Sequence, residues 1–291
     1  MKILRCKQRF GGVAVAYTVY TPADKVQRRA AFACSPLCDA LCWDKLCRAL
    51  CADGVLCVVC ELPGFGTTPV NAPQDNVTRA RVMWGVLDEV DFSRGDAPGK
   101  WHLVSHGSAC GVILEMTRRQ NESVLSRTLI NPVTDKFTSG LYTRFLASRL
   151  GRKCLEKVYA FRAGNVKRFR EQLNKLYGSE VSEKRAVQLH KEFYRKGRID
   201  TLFSLIEVGY RIPRKAYLEQ GHIMLIWGKE DSLFGDRPPE ALLKRLPDTE
   251  LHLVHGAHML METMPDEMKD YLTGWFSFSE GKLSQVTRKK L

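Results

Sequence analysis

The sequence predicts an α/β fold: a mostly parallel sheet with helices on both faces and a helical insertion. Three observations carry this. Short apolar runs of strand character alternate with stretches of helical periodicity. The alternation stops after Asn131-Pro132 and resumes at Ile223. Between them, from Ser139 to about Ile212, the pattern is helical only. Strands alternating with helices build parallel sheets covered on both sides.

Met1 to Phe10 carries Lys2, Arg5, Lys7 and Arg9 and no acid. Two readings stand: an edge strand ended by Gly11-Gly12, or a short mitochondrial targeting segment. Val13 to Tyr20 alternates and reads as the hairpin partner of that strand. Arg29 to Cys34 is a short strand, and Trp43, Leu46, Cys47 and Leu50 recur at helical spacing. Val55 to Cys60 is the next strand and runs into the turn Pro63-Gly64-Phe65-Gly66. Val82, Val86, Leu87 and Val90 mark a helix. Trp101 to Val104 is a strand, followed by a glycine-bearing turn and a helix over Val112 to Thr117. Val124 to Ile130 is a strand. After the insertion come the strand Ile223 to Trp227, a helix over Ala241 to Leu246, the strand Glu250 to Val254, and a helix from Glu262 to about Trp275.

These elements divide the chain into a first core part (1–133), a basic helical lid (134–215), a second core part (216–278) and a basic tail (279–291). A length of 291 residues suits one large core with an insertion rather than two full domains. No run of 18 apolar residues exists, so no transmembrane helix is expected. The net charge of +13 is concentrated: the 82 residues from Thr134 to Lys215 hold 20 Lys/Arg against 8 Asp/Glu. Such a surplus attracts RNA, anionic lipid or an acidic protein surface. Lys167, Arg168, Arg170 and Lys175 lie off the apolar stripe of Val166, Phe169, Leu173, Leu176 and Tyr177 and are the expected partner-binding residues. The interleaved aromatics have core spacing, so sequence-specific RNA readout is not indicated.

Cysteines number ten, and Cys57-Val58-Val59-Cys60 has the look of a chelating pair. Residues three apart on a strand face opposite ways and cannot share an ion. Cys38/Cys42 and Cys47/Cys51 have helical spacing without a histidine. The reading is therefore reduced, buried thiols, with no metal and no cofactor expected.

Parallel sheets place chemistry at the carboxyl ends of their strands. Those ends here read Phe32-Ala33-Cys34-Ser35-Pro36, Leu62 to Gly66, Ser105-His106-Gly107-Ser108, Trp227 to Asp231 and His255 to His258. In this order and spacing the chain resembles the α/β-hydrolase family in its lidded form, near epoxide hydrolases and proline iminopeptidases, over roughly residues 10 to 277. The resemblance implies a strained G-x-S-x-G elbow presenting a nucleophile, a later acid and a final histidine. Asp231 and His258 fill the last two places. Gly107 stands at the nucleophile, Ser105, Ala109 and Cys110 where glycines are preferred, and Ala33-Cys34 at the oxyanion-hole motif.

Two functions follow as expectations. In the first, Asp231–His258 is a relic pair in a catalytically inactive protein, a structural or accessory subunit of a large assembly such as a mitochondrial ribosome or respiratory complex. The partners are then protein subunits, with RNA or anionic lipid at the lid, and the place is mitochondrial, with cytoplasmic as the alternative. In the second, a turn shifted by one residue makes Ser108 the nucleophile of a working serine hydrolase on a small ester, amide or lipid. Cys110 is a weaker candidate, one turn into the helix.

Overall fold

The computed structural model describes residues 1–69, 75–119, 121–133, 148–194, 222–238, 240–246 and 249–289. Its centre is an eight-stranded sheet in the order β1-β2-β4-β3-β5-β6-β7-β8. The strands are β1 (Lys2–Phe10), β2 (Val13–Thr21), β3 (Arg28–Ala33), β4 (Val55–Glu61), β5 (Trp101–His106), β6 (Val124–Ile130), β7 (His222–Gly228) and β8 (Thr249–Val254). β1 pairs antiparallel with β2, and β2 with β4; the remaining pairs are parallel. Met1 to Phe10 thus supplies the expected edge strand.

β4 and β7 are nearly continuous apolar runs because both faces are covered, whereas β5 and β6 also bury polar residues, among them His102, Ser126, Arg127 and Thr128. Leu56, Val58 and Cys60 of β4 enter one core, and Val55, Cys57 and Val59 the other. Cys57 and Cys60 therefore face opposite ways. Helices α2 (Asn76–Ser93), α3 (Cys110–Arg119) and α7 (Glu240–Arg245) cover the first face. On the second lie α1 (Asp44–Ala52), α5 (Val166–Tyr177), α6 (Glu183–Phe193), α8 (Leu260–Thr263) and α9 (Pro265–Lys289). Starts are set by side chains: Asp75 accepts from Thr78 N–H at 2.7 Å, Asn165 from Lys167 N–H at 2.8 Å, and Ser182 from Arg185 N–H at 3.3 Å.

Between β6 and β7 the described residues form α4 (Arg149–Ala163), α5 and α6. Residues 134–147 and 195–221 of the expected lid lie outside the described set. The insertion is tied to the core by Arg185 of α6, which donates to Asp39 at 2.8 and 3.0 Å and to Glu262 at 2.9 and 3.0 Å. Tyr177 of α5 donates to the same Glu262 at 2.7 Å.

Two boundaries differ from the sequence reading. The last helical stretch splits, with Pro265 opening α9, as proline suits a first helical position. α9 then continues to Lys289, through the segment read as a tail. Ser279 is buried, and Glu280 pairs with Arg28 at 3.1 Å and with His102 at 3.3 Å. The apolar spacing fades after Trp275, but these polar contacts hold the next turn.

Candidate functional site

The carboxyl ends of β3, β5, β6, β7 and β8 converge on one pocket of about 200 Å³. β5 ends in His106 and passes into a tight turn over Gly107–Ala109 before α3. Gly107 has φ +56°, a left-handed conformation that L side chains adopt only at a cost. Gly107 is the first residue of this turn and the one with positive φ. A Cβ at Gly107 would meet Ser35 Oγ at 3.5 Å, Ser35 Cβ at 3.6 Å and His258 Nε2 at 4.0 Å. A Cβ therefore fits beside Gly107 at ordinary contact distance from Ser35 and His258.

Asp231 and His258 are intact as a pair. Asp231 Oδ2 accepts from His258 Nδ1 at 2.7 Å, and both side chains are buried. Asp231 Oδ1 accepts the backbone N–H groups of Leu233 at 2.8 Å and Phe234 at 3.2 Å, which fixes the carboxylate. With Nδ1 directed at Asp231, the other ring nitrogen of His258, Nε2, lies 4.0 Å from the Cβ position of Gly107.

Three further groups, not singled out in the sequence, build the site. His106 Nε2 lies 3.0 Å from the carbonyl of His258, and Ser35 Oγ lies 3.0 Å from His106 Nδ1. Asn131, at φ +41°, donates through Nδ2 to the same carbonyl at 2.9 Å and to Ala257 O at 3.1 Å. Its Oδ1 accepts Gly228 N–H at 2.8 Å, so one side chain joins the ends of β6 and β7 to the histidine loop. An asparagine at a strand end before a proline was the available signal.

The insertion holds the same loops. His258 N–H donates to Leu176 O at 2.9 Å, and Ser232 Oγ to Lys175 O at 3.1 Å. Both acceptors sit in the last turn of α5, whose cap is Gly178 at φ +65°. A Cβ there would come within 2.9 Å of Ala257 Cβ. Gly178→Ala is expected to lower stability by about 1–3 kcal/mol, from left-handed strain and the clash together, as read from urea unfolding.

Burial holds His106 well below the usual histidine value of 6.5, reinforced by the neighbouring His258 and opposed by the His258 carbonyl. Burial also lowers His102, against the pull of Glu280. Both histidines are neutral in the folded chain, while the unfolded chain takes up protons near pH 6.5. Their contribution is therefore complete above that value and is lost as pH falls below it. Each costs up to about 1.4 kcal/mol per pH unit while the folded ring stays neutral. Urea midpoints measured from neutral pH downward are expected to fall, and His106→Gln to flatten that slope.

The other expected residues are placed as follows. Ser108 lines the pocket, but its Oγ is buried and has no hydrogen-bond partner among the described residues. Cys110 is fully buried, and burial pushes its thiol up to about 12, so it carries no thiolate. Ala33 ends β3 with its side chain in the core, and Cys34 is buried with its N–H on Cys60 O at 3.0 Å. The pocket is bordered one residue on, by Ser35. Lys167, Arg168 and Lys175 are exposed on α5. Arg168 stacks on Phe161 at 4.4 Å, and Arg170 is engaged by Glu180 at 2.7 Å and by Val181 O. No helix of the described residues is long and apolar enough to cross a membrane.

Comparison with known proteins agrees with this fold. Residues 32–270 match the profile of the "Alpha/beta hydrolase family". No curated protein matches the sequence. Among solved structures, Cfl2 from Burkholderia cenocepacia is similar at a TM-score of 0.73 and 16% identity, covering 94% of this chain and 96% of that one. A loop variant of haloalkane dehalogenase DbeA from Bradyrhizobium elkanii is similar at 0.71 and 15%, covering 98% and 100%. A serine hydrolase from Cycloclasticus zankles is similar at 0.71 and 15%, covering 95% and 98%. At these identities the likeness is one of fold.

Proposed function

We propose that this chain, which belongs to the alpha/beta hydrolase family, hydrolyses small neutral esters with water as the nucleophile and His258 as the general base. One observation carries the reading. The Asp231–His258 pair is intact at 2.7 Å, while Gly107 leaves open the space that His258 Nε2 faces. A working base opposite an empty nucleophile position is suited to a water molecule.

The step balances simply. Water oxygen bonds to the ester carbonyl carbon as one of its protons passes to His258 Nε2. Asp231 stabilises the imidazolium that forms. The oxyanion faces the amide groups that open the turn and α3, where the helix dipole is positive. Collapse breaks the carbon–alkoxide bond, and His258 returns its proton to the leaving alcohol. Pro36, Leu37, Val133, Phe193, Leu233 and Phe234 line the pocket with no charged side chain among the described residues. Its volume lies below the roughly 300–1,000 Å³ of drug-sized sites, so the acyl group is short and apolar.

The assay is p-nitrophenyl acetate and butyrate hydrolysis with and without a fluorophosphonate. The expected result is turnover that the fluorophosphonate leaves intact and that His258→Ala removes. A fluorophosphonate adduct on Ser108 with loss of turnover contradicts the water route and selects a serine mechanism. The same Gly107 also supports a second proposal, a catalytically silent accessory subunit whose exposed Lys167, Arg168 and Lys175 meet an acidic or polyanionic partner. Absence of any His258-dependent turnover selects that one.

A further inference from the structure

We propose that Ser35 is a positioning residue that seats the attacking water, with its hydroxyl held as an acceptor by His106. This rests on the hydrolase reading above and adds a residue to it. The argument is one of proton placement. The carbonyl of His258 can only accept, so His106 Nε2 carries the proton across their 3.0 Å contact. A neutral ring then has a bare Nδ1, which accepts the Ser35 hydroxyl proton at 3.0 Å. Burial keeps the ring neutral, so this arrangement is not undone near neutral pH.

Ser35 is itself only 3% exposed, and its Oγ borders the space opened by Gly107. With its proton committed to His106, Oγ offers only lone pairs to that space. His258 Nε2 does the same, because the ring N–H is at Nδ1, where it donates to Asp231. Two acceptors therefore face one small void, and the species that fits carries two donors. Water directs one O–H to each and leaves a lone pair free for the carbonyl carbon. The proton lost in attack goes to His258, the stronger base, and the Ser35 proton stays where it is.

The test joins kinetics to a tautomer measurement. Ser35→Ala is expected to lower kcat by about 10–100-fold with KM nearly unchanged, as when a reacting group is misplaced by about an ångström. Ser35→Thr retains the hydroxyl and is expected to recover most of the rate. In long-range proton–nitrogen spectra of histidine-labelled wild type, His106 is expected as the neutral Nε2–H tautomer. A kcat in Ser35→Ala equal to wild type overturns the proposal while leaving His258-dependent hydrolysis in place. So does an Nδ1–H tautomer of His106, which would turn the Ser35 proton into the void. A fluorophosphonate adduct on Ser35 also overturns it, making the residue a nucleophile. Wild type without His258-dependent turnover removes the hydrolase reading and the water role together.

Discussion

Gly107→Ser is expected to create a covalent serine hydrolase from this chain. The elbow geometry is already in place, with φ +56° and a Cβ position at ordinary contact distance from Ser35 and 4.0 Å from His258 Nε2. A hydroxyl on that Cβ reaches hydrogen-bond distance of Nε2 by choice of rotamer. The left-handed backbone costs a side chain roughly 1–2 kcal/mol, a strain that serine nucleophiles on such turns also carry. The variant is expected to take up one fluorophosphonate per chain at position 107 and to raise kcat/KM at least about 100-fold. Loss of a nucleophile can cost about a millionfold, so a partial recovery is a modest demand. Intact-mass spectrometry and ester kinetics check both parts. An unlabelled variant that is still folded contradicts the site geometry.

Asp231→Asn is expected to have the opposite effect. Oδ1 holds two backbone N–H groups, which an amide oxygen also accepts, so the loop retains its shape. The partner of His258 Nδ1 becomes an NH2 group, which favours the wrong ring tautomer. Nε2 then carries a proton and cannot take one from water. A fall in kcat of about 10⁴ is expected, with KM little changed, by analogy with the same replacement in serine proteases. A loss below about tenfold would mean that the pair is a structural relic.

The fold was legible because it is written in apolar runs. β6 and β7 matched nearly residue for residue, since strands buried on both faces are bounded sharply by turn residues. Asp231, His258 and Gly107 were legible because each follows a strand end in a fixed order. Ser35 and His106 stood inside the quoted motifs without being singled out. Their importance comes from a contact across 71 residues, and spacing along the chain does not report that. Asn131 was hidden for the same reason, its partners lying 126 and 127 residues away. Of the stretch after β3, Ser35 lines the pocket while Ala33 and Cys34 pack in the two cores. Polar packing extended α9 past Trp275, where hydrophobic periodicity had ended. The charge surplus of 134–215 is a count along the sequence, and among the described residues Arg170 and Arg185 are engaged within the chain, which such a count does not reveal.

In the proposed water route no side chain of this protein forms a covalent bond to the substrate. Mass spectrometry of wild-type enzyme, acid-quenched during turnover of p-nitrophenyl butyrate, tests it most directly. The expected spectrum is the unmodified chain at every time point, with butyrate accumulating in a His258-dependent manner. A butyryl group on Ser108, Ser35 or any other residue, formed and lost at the rate of turnover, would contradict it.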